Sequence, residues 1–227
     1  PFSFAGPKRE VQLPIRIQDL PAVDVVVISH NHYDHLDVDA ISEIIRRFNP
    51  LFVVPLENAA LLKSRGATRI LEMDWWQHAE GEGLRFHCLP ARHFSNRGLT
   101  DRNQMLWASF VIENGNFKTY FAGDTGYADH FKTIGEQFSQ IDLALIPIGA
   151  YMPRWFMQEV HMDPEEAIQA YLDLSAREFL GIHWGTFVLT EEPLQEPKQR
   201  VMEIIQRRQL DQRKFHVLPI GGKVTFK

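Results

Sequence analysis

Val23-Asp24-Val25-Val26-Val27-Ile28-Ser29-His30-Asn31-His32-Tyr33-Asp34-His35 passes from an apolar, β-branched run straight into a cluster of histidines and aspartate. From Val23 to Ile28 it has the length and β-branched content of a buried strand. From His30 to His35 it carries three histidines and an aspartate, directly at that strand's C-terminal end. Layered α/β folds build their sites at such strand ends. Imidazoles and a carboxylate at this density suit zinc, with iron or manganese as the next choices. Alternate residues of an extended segment point in opposite directions, so these ligands cannot all reach one tetrahedral ion. The pattern predicts two ions, with His30 and His32 on one and Asp34 and His35 on the other. The plainer alternative, a loop of solvated histidines, does not account for that density.

The rest of the composition bounds the answer. The chain has 227 residues, which fits one large domain over residues 1–227. With 44% hydrophobic residues it can build a full core without cross-links. Cys88 is the one cysteine, so an internal disulfide is impossible and a reducing compartment fits. It sits in the alternating run Leu84-Arg85-Phe86-His87-Cys88-Leu89, which predicts a buried structural thiol. A net charge of -5 argues against a nucleic-acid binder working by bulk electrostatics. No run of 18 apolar residues reads as a membrane span. These features predict a cytoplasmic protein or one peripheral at a membrane surface.

Periodicity predicts strands over residues 23–28, 51–54, 84–89, 106–112, 117–121, 141–146, 179–182 and 215–218. It predicts helices over 38–48, 57–64, 127–138, 164–174 and 197–209. Asp163-Pro164-Glu165-Glu166 combines an N-cap, a proline at the first helical position and acids at the positive helix end. Asn114-Gly115 predicts a tight hairpin turn. This mix of hairpins and strand–helix–strand units predicts an α/β chain of two packed sheets with helices outside.

A two-ion site needs an anionic bridge to hold cations roughly 3.5–4 Å apart. Asp124, in Ala122-Gly123-Asp124-Thr125-Gly126, is the candidate, because flanking glycines let the backbone turn and expose the carboxylate. An aspartate in a Gly-rich turn is ordinarily structural, but an existing site with an unfilled bridge favours the ligand role. His93 and His183 also sit just past strand ends. Assigning them gives His30, His32 and His93 to one ion, Asp34, His35 and His183 to the other, and Asp124 to both. His161, beside the Asp163 helix cap, is a candidate substrate contact or acid, or equally a surface histidine. Trp155, Phe156 and Trp184 are candidates for an apolar rim or for plain core.

These motifs together resemble the metallo-β-lactamase superfamily. The segments Ile28 to Asp37, Asp74-Trp75-Trp76, Phe121 to Tyr127, Pro147 to Tyr151, Pro153-Arg154-Trp155-Phe156-Met157 and Ile182 to Phe187 are similar to one branch of it. That branch contains N-acyl-phosphatidylethanolamine-hydrolysing phospholipase D and its bacterial relatives. The resemblance runs from about Phe4 to Phe187. It implies an αββα four-layer sandwich, a dinuclear zinc centre on the seven ligands assigned above, and a role near the catalytic centre for His161. It also implies further strands before Phe2, including a Gly-His-Ala-type segment, that this sequence lacks.

Two zinc ions make hydrolysis available, since they lower the pKa of bound water from about 15.7 to about 7 and stabilise developing charge. A metal-bridging hydroxide is then the nucleophile, with Asp34 both ligating and orienting it. The expectation is a zinc-dependent phosphodiesterase of phospholipase D type acting on N-acyl-phosphatidylethanolamine-like lipids, with peripheral membrane-surface contact and no nucleic-acid partner. Arg154 would hold a phosphate oxygen, and Trp155 and Phe156 would pack against acyl chains. The rivals are a lactonase or other carbonyl-ester hydrolase of the same fold, a nuclease, and a non-catalytic zinc protein.

Overall fold

A computed structural model describes residues 6, 7 and 9–226. Phe4, where the resemblance begins, and Phe2, before which it implies further strands, lie outside the described residues. The chain clusters into two compact units. One is Ile15–Gly123, and the other joins the described residues of 6–14 to those from Asp124 onward.

In Ile15–Gly123 the order is β1 (Val25–Val27), α1 (Val38–Phe48), β2 (Leu51–Pro55), α2 (Ala59–Ser64), β3 (Ile70–Met73), β4 (His78–Gly81), β5 (Leu84–Leu89), β6 (Ser109–Asn114) and β7 (Phe117–Phe121). The first three strands form a parallel sheet in the order β1-β2-β3. The last four form antiparallel neighbours from β4 to β7. Central β2 is buried at every position, as a parallel strand covered on both faces must be. Its alternation divides the core. Phe52 and Val54 join Leu36, Ile41 and Leu62 beneath α1 and α2, whereas Leu51 and Val53 join Phe86, Cys88 and Phe110 of the antiparallel strands. Burying each such side chain contributes about 1.5–3 kcal/mol. Cys88 is buried as expected, and burial pushes its thiol up to about 12.

Helix α1 starts where Asp37 accepts from the Asp39 and Ala40 backbone N–H groups. It ends at Asn49, whose left-handed φ of 45° lets its N–H reach the Ile45 carbonyl. Its Ile41, Ile44 and Ile45 face the core, at the spacing the sequence predicts.

Three local expectations change. The strand expected from residue 106 begins at Ser109. Leu106 instead bonds to Leu56 and Asn58, and Trp107 donates its indole N–H to Ala91. Asn114 pairs with Phe117, so the hairpin loop is Gly115-Asn116, with Gly115 at φ 59° in the first-position geometry of a type II′ turn. Strands β3 and β4, absent from the periodicity reading, end their respective strand orders. β4 alternates only between exposed and half-buried positions and carries one apolar residue, Ala79, so it has no apolar periodicity to read.

The second unit carries α3 (His130–Gln137), β8 (Leu143–Pro147), α4 (Arg154–Met157), α5 (Pro164–Asp173), β9 (Glu178–Ile182), α6 (Glu196–Arg207) and β10 (Phe215–His216). Its strands are parallel in the order β10-β9-β8. The predicted cap of α5 is a full capping box: Asp163 accepts from the Glu166 N–H, and Glu166 accepts from the Asp163 N–H. The four-residue α4 is too short to give a helical period and was not predicted. Tyr171, Phe179 and Phe215 pack ring against ring between α5 and the sheet.

Candidate metal centre

Candidate ligands occur in both units, and each group has its own scaffold. In Ile15–Gly123 the candidate ligands follow the end of β1. The strand's pairing continues past Val27, with the Ile28 N–H on Val53 and the Ser29 carbonyl receiving the Ala108 N–H. Ser29, His30 and Asn31 are therefore buried. The chain then turns back, since the N–H groups of His35 and Leu36 both reach the His32 carbonyl. Buried Leu36 and the Asp37 cap fix the turn's far end. This turn is what lets neighbouring ligands in an extended sequence converge.

Arg97 closes the loop. Its guanidinium donates to the carbonyls of Asn31 and Leu36 at 2.8 and 2.7 Å and stacks over the Tyr33 ring, whose hydroxyl donates to the Arg97 carbonyl. Burial lowers the Arg97 pKa from its usual value. Sequence reading missed Arg97, because a lone arginine in a polar loop carries no spacing signature.

The imidazoles cross at steep angles and bring their ring nitrogens together. His30 Nε2 and His32 Nδ1 are 2.9 Å apart, and His93 Nε2 and His32 Nδ1 are 3.3 Å apart. His30 is further held by Ser29, whose Oγ lies 3.0 Å from Nδ1, an outer contact of the kind that orients metal-ligating histidines. In the same unit, Asp34 Oδ2 and His35 Nε2 are 3.5 Å apart, and the His30 and His35 rings lie 4.2 Å apart.

In the second unit, buried Asp124 presents Oδ1 to His183 Nε2 at 3.4 Å. His183 follows β9 with a positive φ of 55°, a conformation that costs a non-glycine residue on the order of 1–3 kcal/mol and clusters at functional sites. Its backbone is wedged against Gly149, where a Cβ would stand 2.4 Å from the His183 carbonyl oxygen. Gly126 is required by the same logic, since a Cβ there would meet the Glu159 and Gln158 carbonyls at 2.7 and 2.8 Å. The His161 ring stacks on His183 with centroids 5.6 Å apart.

These spacings fit a divalent metal. Two ligands at about 2.0–2.1 Å from a tetrahedral ion stand about 3.3 Å apart. The four donor pairs, at 2.9, 3.3, 3.5 and 3.4 Å, all lie near that edge length. Nitrogen and carboxylate donors are also the chemistry such ions take.

The candidate substrate residues separate. Arg154 spends its fork internally, donating to the His161 carbonyl at 2.9 Å and to Glu166 at 2.7 Å, with Asp163 3.8 Å away. Burial raises the Glu166 pKa. Trp155 and Phe156, at 78% and 63% exposure, stand out on α4 rather than forming core, whereas Trp184 is buried. The loop before α4 is pinned by Glu192, which accepts from the N–H groups of Ala150, Tyr151 and Met152.

The model describing a Beta-lactamase superfamily domain matches residues 2–184. The chain belongs to the beta-lactamase superfamily. Within it, the chain is 42% identical over 220 residues to N-acyl-phosphatidylethanolamine-hydrolyzing phospholipase D 1 of Caenorhabditis elegans, covering 91% of this chain and 62% of the relative. It is 40% identical over 203 residues to the mitochondrial N-acyl-phosphatidylethanolamine-hydrolyzing phospholipase D of Saccharomyces cerevisiae, covering 86% and 43%. The chain thus spans about half the length of these curated relatives. Among solved structures it is similar to Igni18, a metallo hydrolase from Ignicoccus hospitalis, with a TM-score of 0.67 and 27% identity over 90% of this chain and 80% of that one. The superfamily member has the expected metallo-β-lactamase fold. No helix among its described residues is long and apolar enough to cross a membrane.

Proposed function

We propose that this chain is the catalytic part of a metal-dependent hydrolase, a phosphodiesterase of phospholipase D type acting on N-acyl-phosphatidylethanolamine-like lipids. The observation that carries the reading is the set of donor spacings near a tetrahedral edge. Asp124 is proposed to complete one dinuclear zinc centre. Gly123, in the first unit, lies against Ser29, next to His30, and the peptide bond makes Asp124 its immediate neighbour. His30, His32 and His93 are assigned to one ion, Asp34, His35 and His183 to the other, and Asp124 to both, within a single hydrolase domain.

Zinc at such a centre supplies Lewis acidity, acidifies water towards neutral pH and offsets charge developing on a phosphoryl oxygen. The chain's own residues do the rest. Asp34 orients the attacking water through its carboxylate. His161, held through its carbonyl by Arg154 and stacked on His183, exchanges a proton or hydrogen bond with the substrate. Exposed Trp155 and Phe156 pack against acyl chains at a lipid surface. The names of the two relatives support the substrate class.

The test is hydrolysis of an N-acyl-phosphatidylethanolamine and simple phosphodiesters against acyl-homoserine and sugar lactones, in isotopically labelled water. The proposal expects faster turnover of the phosphodiesters and label on phosphorus. Faster lactone turnover, with label at a carbonyl carbon, would leave only a carbonyl-directed hydrolase.

A further inference from the structure

We infer that Arg102 is a specificity-determining residue that holds the anionic oxygen of a phosphodiester substrate beside the metal-binding histidines. The inference rests on the hydrolase reading above and assigns the anion contact that Arg154 cannot supply.

Arg154, Arg97 and Arg102 use their donors differently. Arg154 gives its fork to Glu166 and the His161 carbonyl. Arg97 gives its fork to the carbonyls of Asn31 and Leu36. Arg102 is exposed, with its guanidinium 4.3 Å above the Phe94 ring, and no hydrogen bond or ion pair engages it among the described residues. Phe94 in turn lies edge-on to His32 at 4.6 Å and beside His93 at 5.0 Å. One aromatic ring therefore separates this guanidinium from two of the proposed ligands.

The loop that presents Arg102 is built, not slack. Asp101 accepts from the N–H groups of Arg97 and Gly98, which hold its carboxyl below the usual range. The Asn103 N–H returns to the Ser95 carbonyl, and Ser95 Oγ donates to Met105. A guanidinium held over a ring still has N–H groups to offer, and these match phosphate oxygens in pairs. Stacking also removes rotamer freedom in advance, so binding an anion costs less entropy. A neutral ester has no charge for this fork to recognise.

The experiment compares Arg102→Ala and Arg102→Lys with the wild-type protein on bis(4-nitrophenyl) phosphate and on neutral 4-nitrophenyl acetate. The expected result for Arg102→Ala is a rise in KM of about tenfold for the phosphodiester, the scale of one charge-assisted hydrogen bond. Its kcat and its acetate hydrolysis should stay near wild type. Arg102→Lys should fall between, keeping charge without the planar fork. Independently of turnover, inorganic phosphate should shift the Arg102 Nε–Hε resonance of metal-free protein, and Arg102→Lys identifies that resonance. Equal losses on both substrates, or an unchanged KM, would overturn the assignment. A phosphate-induced shift with unchanged KM would make Arg102 an adventitious anion contact and overturn it too. A wild-type protein that binds no metal and hydrolyses neither substrate would remove the functional reading alone, and the resonance would still decide Arg102.

Discussion

Gly123 and Ser29 approach so closely that a Cβ on the glycine would stand 2.5 Å from the serine Cβ and 2.9 Å from its Oγ. Gly123 also holds a left-handed φ of 61°, which glycine adopts without steric cost. The residues on the far side of this contact are Asp124 in one direction and His30 in the other. Gly123→Ala is therefore expected to destabilise the protein by roughly 1–3 kcal/mol and to reduce metal content along with turnover. Adding Ser29→Gly to that variant removes the opposing atom and should recover part of the stability, beyond the sum of the single effects. Thermal melts and metal analysis on Gly123→Ala, Ser29→Gly and the double variant check this.

Asp124→Asn should cut hydrolysis by at least about a hundredfold with little change in melting temperature. A neutral amide cannot bridge two cations well, and the site's effect on water depends on that charge. Turnover measured against melting temperature at saturating zinc makes the comparison. Near-normal turnover would remove Asp124 from the centre.

Arg97→Ala should loosen the His30-to-Leu36 loop, because two backbone carbonyls lose their donor and Tyr33 loses its stacking partner. A cost of roughly 1–3 kcal/mol is expected for the uncompensated groups. Zinc affinity should fall with it. Hydrogen exchange at His35 and Leu36 reports the loop directly.

Much of this arrangement is legible in the sequence, for a physical reason. Val25–Val27 and the following histidines are a local pattern, and strand ends fix where their ligands face. Helix α1 and the Asp163 cap are equally local, and both appear at the predicted positions. Arg97, Gly149 and Glu192 could not be read this way, since each acts on residues distant in sequence through backbone groups that carry no residue signature. Arg154 illustrates the converse. Its type suits phosphate, yet Glu166 and the His161 carbonyl take its donors, a competition that exists only in the folded chain. β4 carries no sequence signal because a short, polar strand with no buried position has no apolar periodicity to mark it.

Cys88 should resist alkylation in the native protein at pH 8, because its buried thiol has a pKa raised to about 12. The sign of the linked stability follows. A raised native pKa means stability is full below the unfolded thiol's 9.0 and declines as pH climbs from there towards about 12. Cys88→Ala should flatten that alkaline decline, which denaturant titrations between pH 8 and 10 can follow. Rapid alkylation of folded protein would contradict the buried assignment.

His30, His32, His93, Asp124, Asp34, His35 and His183 are proposed to hold a centre of two divalent ions. Elemental analysis of protein purified without chelator tests it most directly, run beside an Asp34→Ala/His183→Ala double variant. The account predicts about two zinc-class ions per wild-type chain and loss of at least one of them in the variant. A single tightly held ion, unchanged when both residues are replaced, would contradict it.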